Sequence, residues 1–155
     1  MADKKIKNEL DTDYSLVGIA TSLKEYKLCH HLNLLLGCDL KKLEALEFEP
    51  KDRTRTIQFS VFKASDEGDR NTFVVFTNKN MGDFLLPEVS NFDFILQIQG
   101  KYAAEDLQKM IENIKQFPEV VMCTGIPMKK IKSKERLVYV EEKHSPKLLQ
   151  NKRFK

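Results

Sequence analysis

Short apolar runs with period-two spacing alternate along the chain with two longer stretches of helical spacing, a succession that predicts an α+β fold. Tyr14 to Thr21 (YSLVGIAT) places Leu16, Gly18 and Ala20 on one face and Val17 and Ile19 on the other, a near-continuous apolar run suited to a strand buried on both sides. Ser22 with Glu25 offers a capping box, predicting that a helix starts there. Leu28, Leu32, Leu35 and Leu36 give that helix a core-facing stripe, and Gly37 stands where a left-handed cap ends it.

Leu43 to Phe48 alternates weakly, Pro50, Asp52 and the basic residues Arg53 and Arg55 mark a turn, and Ile57, Phe59 and Val61 then alternate with polar residues. Two antiparallel strands are expected there. Ser65 to Asn71 is dense in turn formers and joins this segment to Thr72 to Thr77 as a hairpin. Asn78 to Asp83 reads as a loop around Gly82. Phe92, Phe94, Leu96 and Ile98 alternate with Asp93, Gln97 and Gln99, the pattern of a half-buried strand.

From Ala103 to Phe117, Leu107, Met110, Ile111 and Ile114 keep a helical period, and Pro118 stops the helix. Val120 to Ile126 is expected as a last core strand, and Leu137 to Val140 as an edge strand. The sum is a mostly antiparallel sheet of five to seven strands with two helices packed on it, spanning 14–141 as one domain. A flexible segment, 1–13, precedes it and a basic tail, 142–155, follows.

Composition changes this picture in three places. The net charge is +3, but residues 143–155 hold a local +5 with no acid, so residues 1–142 carry −2 and on charge alone only the tail is expected to bind polyanions. No apolar run approaches the roughly 20 residues needed to span a bilayer, so no membrane association and a cytoplasmic location are expected. Three cysteines, Cys29, Cys38 and Cys123, lie among apolar neighbours rather than in a spaced framework, which predicts reduced thiols.

Candidate chemistry is sparse. Cys29, His30, His31 and Cys38 include metal-ligating types, but adjacent helical residues point about 100° apart and do not converge on one ion, so a packed thiol beside partly exposed imidazoles is the better reading. Cys123 sits in the apolar run VVMCTGI as a small hydrophobe. The glycines are scattered singly, which excludes the common phosphate-cradling loops. No catalytic residue, metal or cofactor is assigned on these patterns.

The most individual segment is Leu86 to Phe94, LPEVSNFDF, in which Pro87 and Glu88 precede a strand carrying Asp93 between two phenylalanines. It resembles the motif of the IPExxxVDY family, a group of uncharacterised bacterial proteins: Pro87, Glu88 and Asp93 match, and Leu86, Phe92 and Phe94 stand in for the motif's Ile, Val and Tyr. YSLVGIATSLKEYKLCHHLNLLLG is similar to the family's opening, with Glu25 replacing the acid before Tyr26 and Leu32-Asn33 supplying its Leu-Asn pair, and Lys132-Ser133-Lys134 is similar to its closing element. The resemblance covers about residues 14–140 and implies no activity. Phe94 lacks the phenol hydroxyl of the motif's Tyr.

Read from its residues, the motif has a structural explanation: Pro87 sets the chain's entry, Glu88 caps or pairs locally, and Asp93 occupies the solvent face. The expectation is a non-enzymatic interaction or scaffolding module with a protein partner, contacted through an apolar edge such as Leu137 to Val140 or a surface apolar patch. Two alternatives stand beside it. One is nucleic-acid association through Lys129, Lys130, Lys132, Lys134 and Arg136 with Lys152 and Arg153 of the tail; the other is a small enzyme using Glu88 and Asp93 as acid and base.

Overall fold

The computed structural model describes residues 14–49, 55–66, 68, 70–100, 104–133 and 136–137. Strands β1 (Tyr14–Thr21), β2 (Lys41–Lys42), β5 (Val61–Ser65), β6 (Thr72–Thr77), β9 (Phe94–Gln99) and β10 (Val120–Ile126) form one sheet in the order β10-β1-β9-β6-β5-β2. Every neighbouring pair in it is antiparallel. Two ribbons stand apart, one of β3 (Leu46–Phe48) with β4 (Ile57–Phe59), the other of β7 (Lys79–Asn80) with β8 (Asp83–Phe84). The helices are α1 (Glu25–Leu36) and α2 (Ala104–Lys115). The α+β fold, the two helices and the antiparallel sheet agree with the patterning.

Two cores sandwich the sheet, because alternate residues of its central strands point to opposite sides. On one face Val17, Ile19, Val75, Leu96 and Ile98 meet Leu28 and Leu32 of α1 and Met110, Ile111 and Ile114 of α2. On the other, Leu16, Val74, Phe76 and Ile95 are covered by the β3–β4 ribbon, by Leu85 to Val89, and by Ile126, Ile131 and Leu137. Strand β1 spans Tyr14–Thr21 as its composition predicts, and its burial on both faces follows from this double cover.

The same double cover corrects the reading of β9. Phe94 to Ile98 are all buried, Gln97 included, so this is a central strand rather than a half-buried one. Gln97 Oε1 accepts from Gln99 Nε2 at 2.8 Å, while its buried Nε2 has no hydrogen-bond partner among the described residues. Phe92 lies ahead of the strand and packs in the second core, whereas Phe94 belongs to the first, so strict alternation fails at Asp93.

Helix α1 begins at Glu25, and the Ser22 capping box does not form. Thr21 Oγ1 takes the Leu23 N–H at 3.1 Å, Glu25 pairs with Lys42 at 2.9 Å, and the first turn is led by Lys24 without a side-chain cap. Gly37 ends the helix in the left-handed conformation (φ 63°), as its position predicts. Ile57, Phe59 and Val61 are not one strand: the chain breaks at Ser60, whose N–H is held by Thr77 Oγ1 at 2.7 Å, and β4 leaves the main sheet. Asn78 to Asp83 is a tight β7–β8 ribbon turning on Met81 and Gly82, both with positive φ, rather than a loop.

Strand β10 is the edge of the sheet, not a core strand; of its residues only Cys123 and Ile126 are buried. Arg136 and Leu137 are helical and Leu137 is fully buried, which removes the expected edge strand at its first residue; 138–140 lie outside the described residues. So do the turn at 50–54, the segment 1–13, the tail with Lys152 and Arg153, and the boundary near 141. Among the described residues no helix is long and apolar enough to cross a membrane.

Candidate functional site

The segment Leu86 to Phe94 wraps around one buried side chain. Asn78, with no solvent exposure, follows β6 and faces the turn at Leu86 to Asp93. Its Nδ2 donates to the carbonyls of Val89 (3.0 Å) and Phe92 (2.9 Å), and its Oδ1 accepts from the Leu86 N–H (2.7 Å). Its backbone N–H donates to Asp93 O at 2.8 Å and its carbonyl accepts from the Leu85 N–H at 2.9 Å. A buried amide with donors and acceptors in one plane satisfies a turn that has no ladder of its own.

Each motif residue has a place in this turn. Pro87 opens a 3₁₀ turn, Pro87–Val89, where a missing N–H costs nothing. Phe92 packs over Gly18, whose missing side chain is what admits the ring: a Cβ there would collide with Phe92 Cδ2 and Cγ. Asp93 does not face solvent freely. It ties β9 to the end of β1, its Oδ2 accepting from the Thr21 N–H at 2.8 Å, and its Oδ1 stands 3.4 Å from Lys79 Nζ.

Glu88 acts at long range rather than locally. Its Oε2 accepts from the N–H groups of Lys132 (2.7 Å) and Ser133 (2.6 Å), and its Oε1 from Ser133 Oγ (2.9 Å), so it caps the turn that leads into Arg136 and Leu137. Burial alone would raise its pKa, but the hydrogen bonds from Ser133, its own N–H and Lys132 outweigh that and hold the carboxyl below its usual range. Glu88 and Asp93 thus serve two separate junctions with different partners.

The basic run is divided in the same way. Lys129, Lys130 and Lys132 are exposed, the first two in the 3₁₀ turn Met128–Lys130. Arg136 instead turns inward: its Nη1 donates to the carbonyls of Leu85 (2.6 Å) and Phe84 (3.3 Å), and its guanidinium lies 5.1 Å from the Phe48 ring centre. It lines a groove of about 290 Å³ with Phe48, Ile57, Phe59, Phe84 and Asp83, the last paired with Arg55 at 2.8 Å. Lys134 lies outside the described residues.

The thiols are packed. Burial pushes the pKa of Cys29 up to about 12, with Glu25 adding to the rise, and burial does the same to Cys123, again to about 12. Cys38, half buried, is pushed to about 11 by burial and then by Asp39. A thiol held protonated is a poor nucleophile. His31 stacks on Phe117 at 4.7 Å, and among the described residues no group of three ligating side chains converges on a metal position.

What remains distinctive is the open edge. Strand β10 is seven residues long, without a charge or a proline, and its two most exposed apolar side chains are Val121 (84% exposed) and Met122 (43%). The opposite edge, β2, is two lysines. A bulge opposite Ala20 and Thr21 leaves Val121 without a partner in β1, while Met122 to Ile126 pair continuously and Val120 pairs with Thr21 beyond the bulge. Tyr26, 63% exposed, and His30 lie beside Glu119 at the start of this edge.

Sequence reasoning missed both Asn78 and the edge character of β10. The composition VVMCTGI carries the signal of an uncharged strand, but its position in the sheet depends on which strands pair. No protein-family model matches the chain, and no curated protein matches it either.

Proposed function

We propose that the domain is a non-enzymatic interaction module that binds a protein partner by adding a strand to β10. The observation that carries this reading is the contrast between the two edges: natural sheets blunt their edges with short strands and lysines, as β2 does, whereas β10 is long, uncharged and apolar at its surface. Unpaired backbone groups along such an edge supply affinity, and alternate side chains supply selectivity. The thiols and the two motif carboxylates are committed to packing and to structural hydrogen bonds, which supports binding over chemistry. The resemblance to the IPExxxVDY family fits a scaffold role for the turn without assigning an activity.

The test is capture of partners by the tagged full chain from a nuclease-treated lysate of its own cell, comparing wild type with Thr124→Lys on the edge and Lys41→Glu on the opposite edge. The reading expects a protein partner retained by wild type and Lys41→Glu and lost from Thr124→Lys. Equal retention by all three contradicts it.

A second reading, association with nucleic acid, is favoured by the exposure of Lys129, Lys130 and Lys132. It predicts low-salt affinity for mixed RNA or DNA that falls steeply with added salt and drops when 143–155 are removed. Absence of low-salt binding refutes it.

A further inference from the structure

We infer that the partner of β10 is a second copy of this chain, paired antiparallel across a two-fold axis near Thr124; this rests on the edge-binding reading above and names its occupant. The argument is charge complementarity. Strand β10 is uncharged between its ends, but an acid, Glu119, precedes it and two bases, Lys129 and Lys130, follow it in the Met128–Lys130 turn. All three are exposed, and among the described residues none forms an ion pair.

An antiparallel self-pairing brings the start of each strand to the end of the other. A parallel pairing would set acid against acid and base against base. Glu119 and Lys129 are equally far along the chain from Thr124, so an axis at Thr124 faces each Glu119 with the basic turn of the other copy. The same axis sets Met122 beside Ile126 and Cys123 beside Gly125, residues that share a face of the sheet, which keeps apolar side chains together and leaves the small glycine opposite the thiol. The interface is isologous, as most homodimers are, and joins two six-stranded sheets into one. Val121 at the bulge within the strand and Tyr26 beside its start, both exposed and apolar, extend the contact beyond the ladder.

Sedimentation equilibrium of the full chain over a wide concentration range tests this, with charge reversals chosen at exposed positions so that folding is not the variable. Glu119→Lys alone, and Lys129→Glu with Lys130→Glu, are each expected to weaken the dimer about tenfold or more, because each sets like charges across the axis. All three together are expected to restore the dissociation constant to within about threefold of wild type, since the reversal exchanges the two signs. Thr124→Lys, which apposes two ammonium groups at the axis, is expected to give a monomer.

A wild-type chain that stays monomeric at every concentration overturns the inference, and so does a dimer indifferent to the reversals or one that the combined reversal fails to restore. If the wild type is monomeric while Thr124→Lys still abolishes capture of a protein from lysate, the occupant is wrong and the edge reading survives. If capture is also unaffected, both fail.

Discussion

Removing the Asn78 side chain isolates the clamp that holds the motif. In Asn78→Ala the Leu86 N–H and the Phe92 carbonyl lose the partners that stand at 2.7 and 2.9 Å, in a region where both residues are buried. The Val89 carbonyl keeps a second donor, the Phe92 N–H at 3.2 Å, and is not orphaned. Two unsatisfied buried groups at about 1–3 kcal/mol each give a loss of roughly 2–6 kcal/mol. For a chain of this length that corresponds to a fall in Tm of roughly 4–24 °C. Asn78→Asp keeps the shape but turns an acceptor toward the Val89 and Phe92 carbonyls, so it should cost at least as much at neutral pH and recover in part on acidification, when a protonated oxygen can donate to one of them. Urea unfolding followed by circular dichroism reads the change as a shift in midpoint at constant slope. A loss below about 0.5 kcal/mol in Asn78→Ala would refute the claim that this amide organises the turn.

Gly18→Ala should lose about 1–3 kcal/mol through collision with the Phe92 ring, and adding Phe92→Leu should return part of that loss; independent, additive effects in the double-mutant cycle would show that the ring does not set the glycine. Glu88 has a lowered folded pKa, so its hydrogen bonds to the 132–133 turn stabilise above its unfolded pKa of about 4.3 and are lost as pH falls through the lower folded value. Because the group is solvent-exposed the effect is held to about 1 kcal/mol or less, and Glu88→Gln should flatten the acid limb of the stability curve; an unchanged acid limb contradicts the cap. Cys29 and Cys123, raised to about 12 by burial, should label with a thiol reagent at pH 8 only as fast as the chain opens, while half-buried Cys38 reacts sooner; rapid labelling of all three in the native state would show the cores to be open.

Local patterning made β1, both helices and the β5–β6 hairpin legible, because their signals are period, turn chemistry and a glycine cap within one segment. What stayed hidden depends on partners distant in sequence. Gln97 reads as a solvent-facing residue until Ile131 and Leu137 are known to cover that side of the sheet. Glu88 reads as a local cap because its true partners are Lys132 and Ser133, far along the chain. The Ser22 capping box fails because the helix starts at Glu25 with Lys24 as its N-cap, and Lys42 engages the Glu25 carboxylate. For the candidate site, Pro87, Glu88, Phe92 and Asp93 were visible as a distinctive segment, but their roles were set by Asn78 and Gly18, which no motif marks. Whether VVMCTGI lies in the core or at an edge is decided by strand order alone.

Hydrogen exchange along β10 tests the central claim most directly. The claim predicts that outward-facing amides between Met122 and Ile126 exchange quickly in the dilute free chain and slow markedly in the isolated complex or at high protein concentration, while the amides around Glu88 and Asp93 are unchanged. Protection that appears instead in the Arg136 groove or the motif turn, with β10 still exchanging freely, would contradict it.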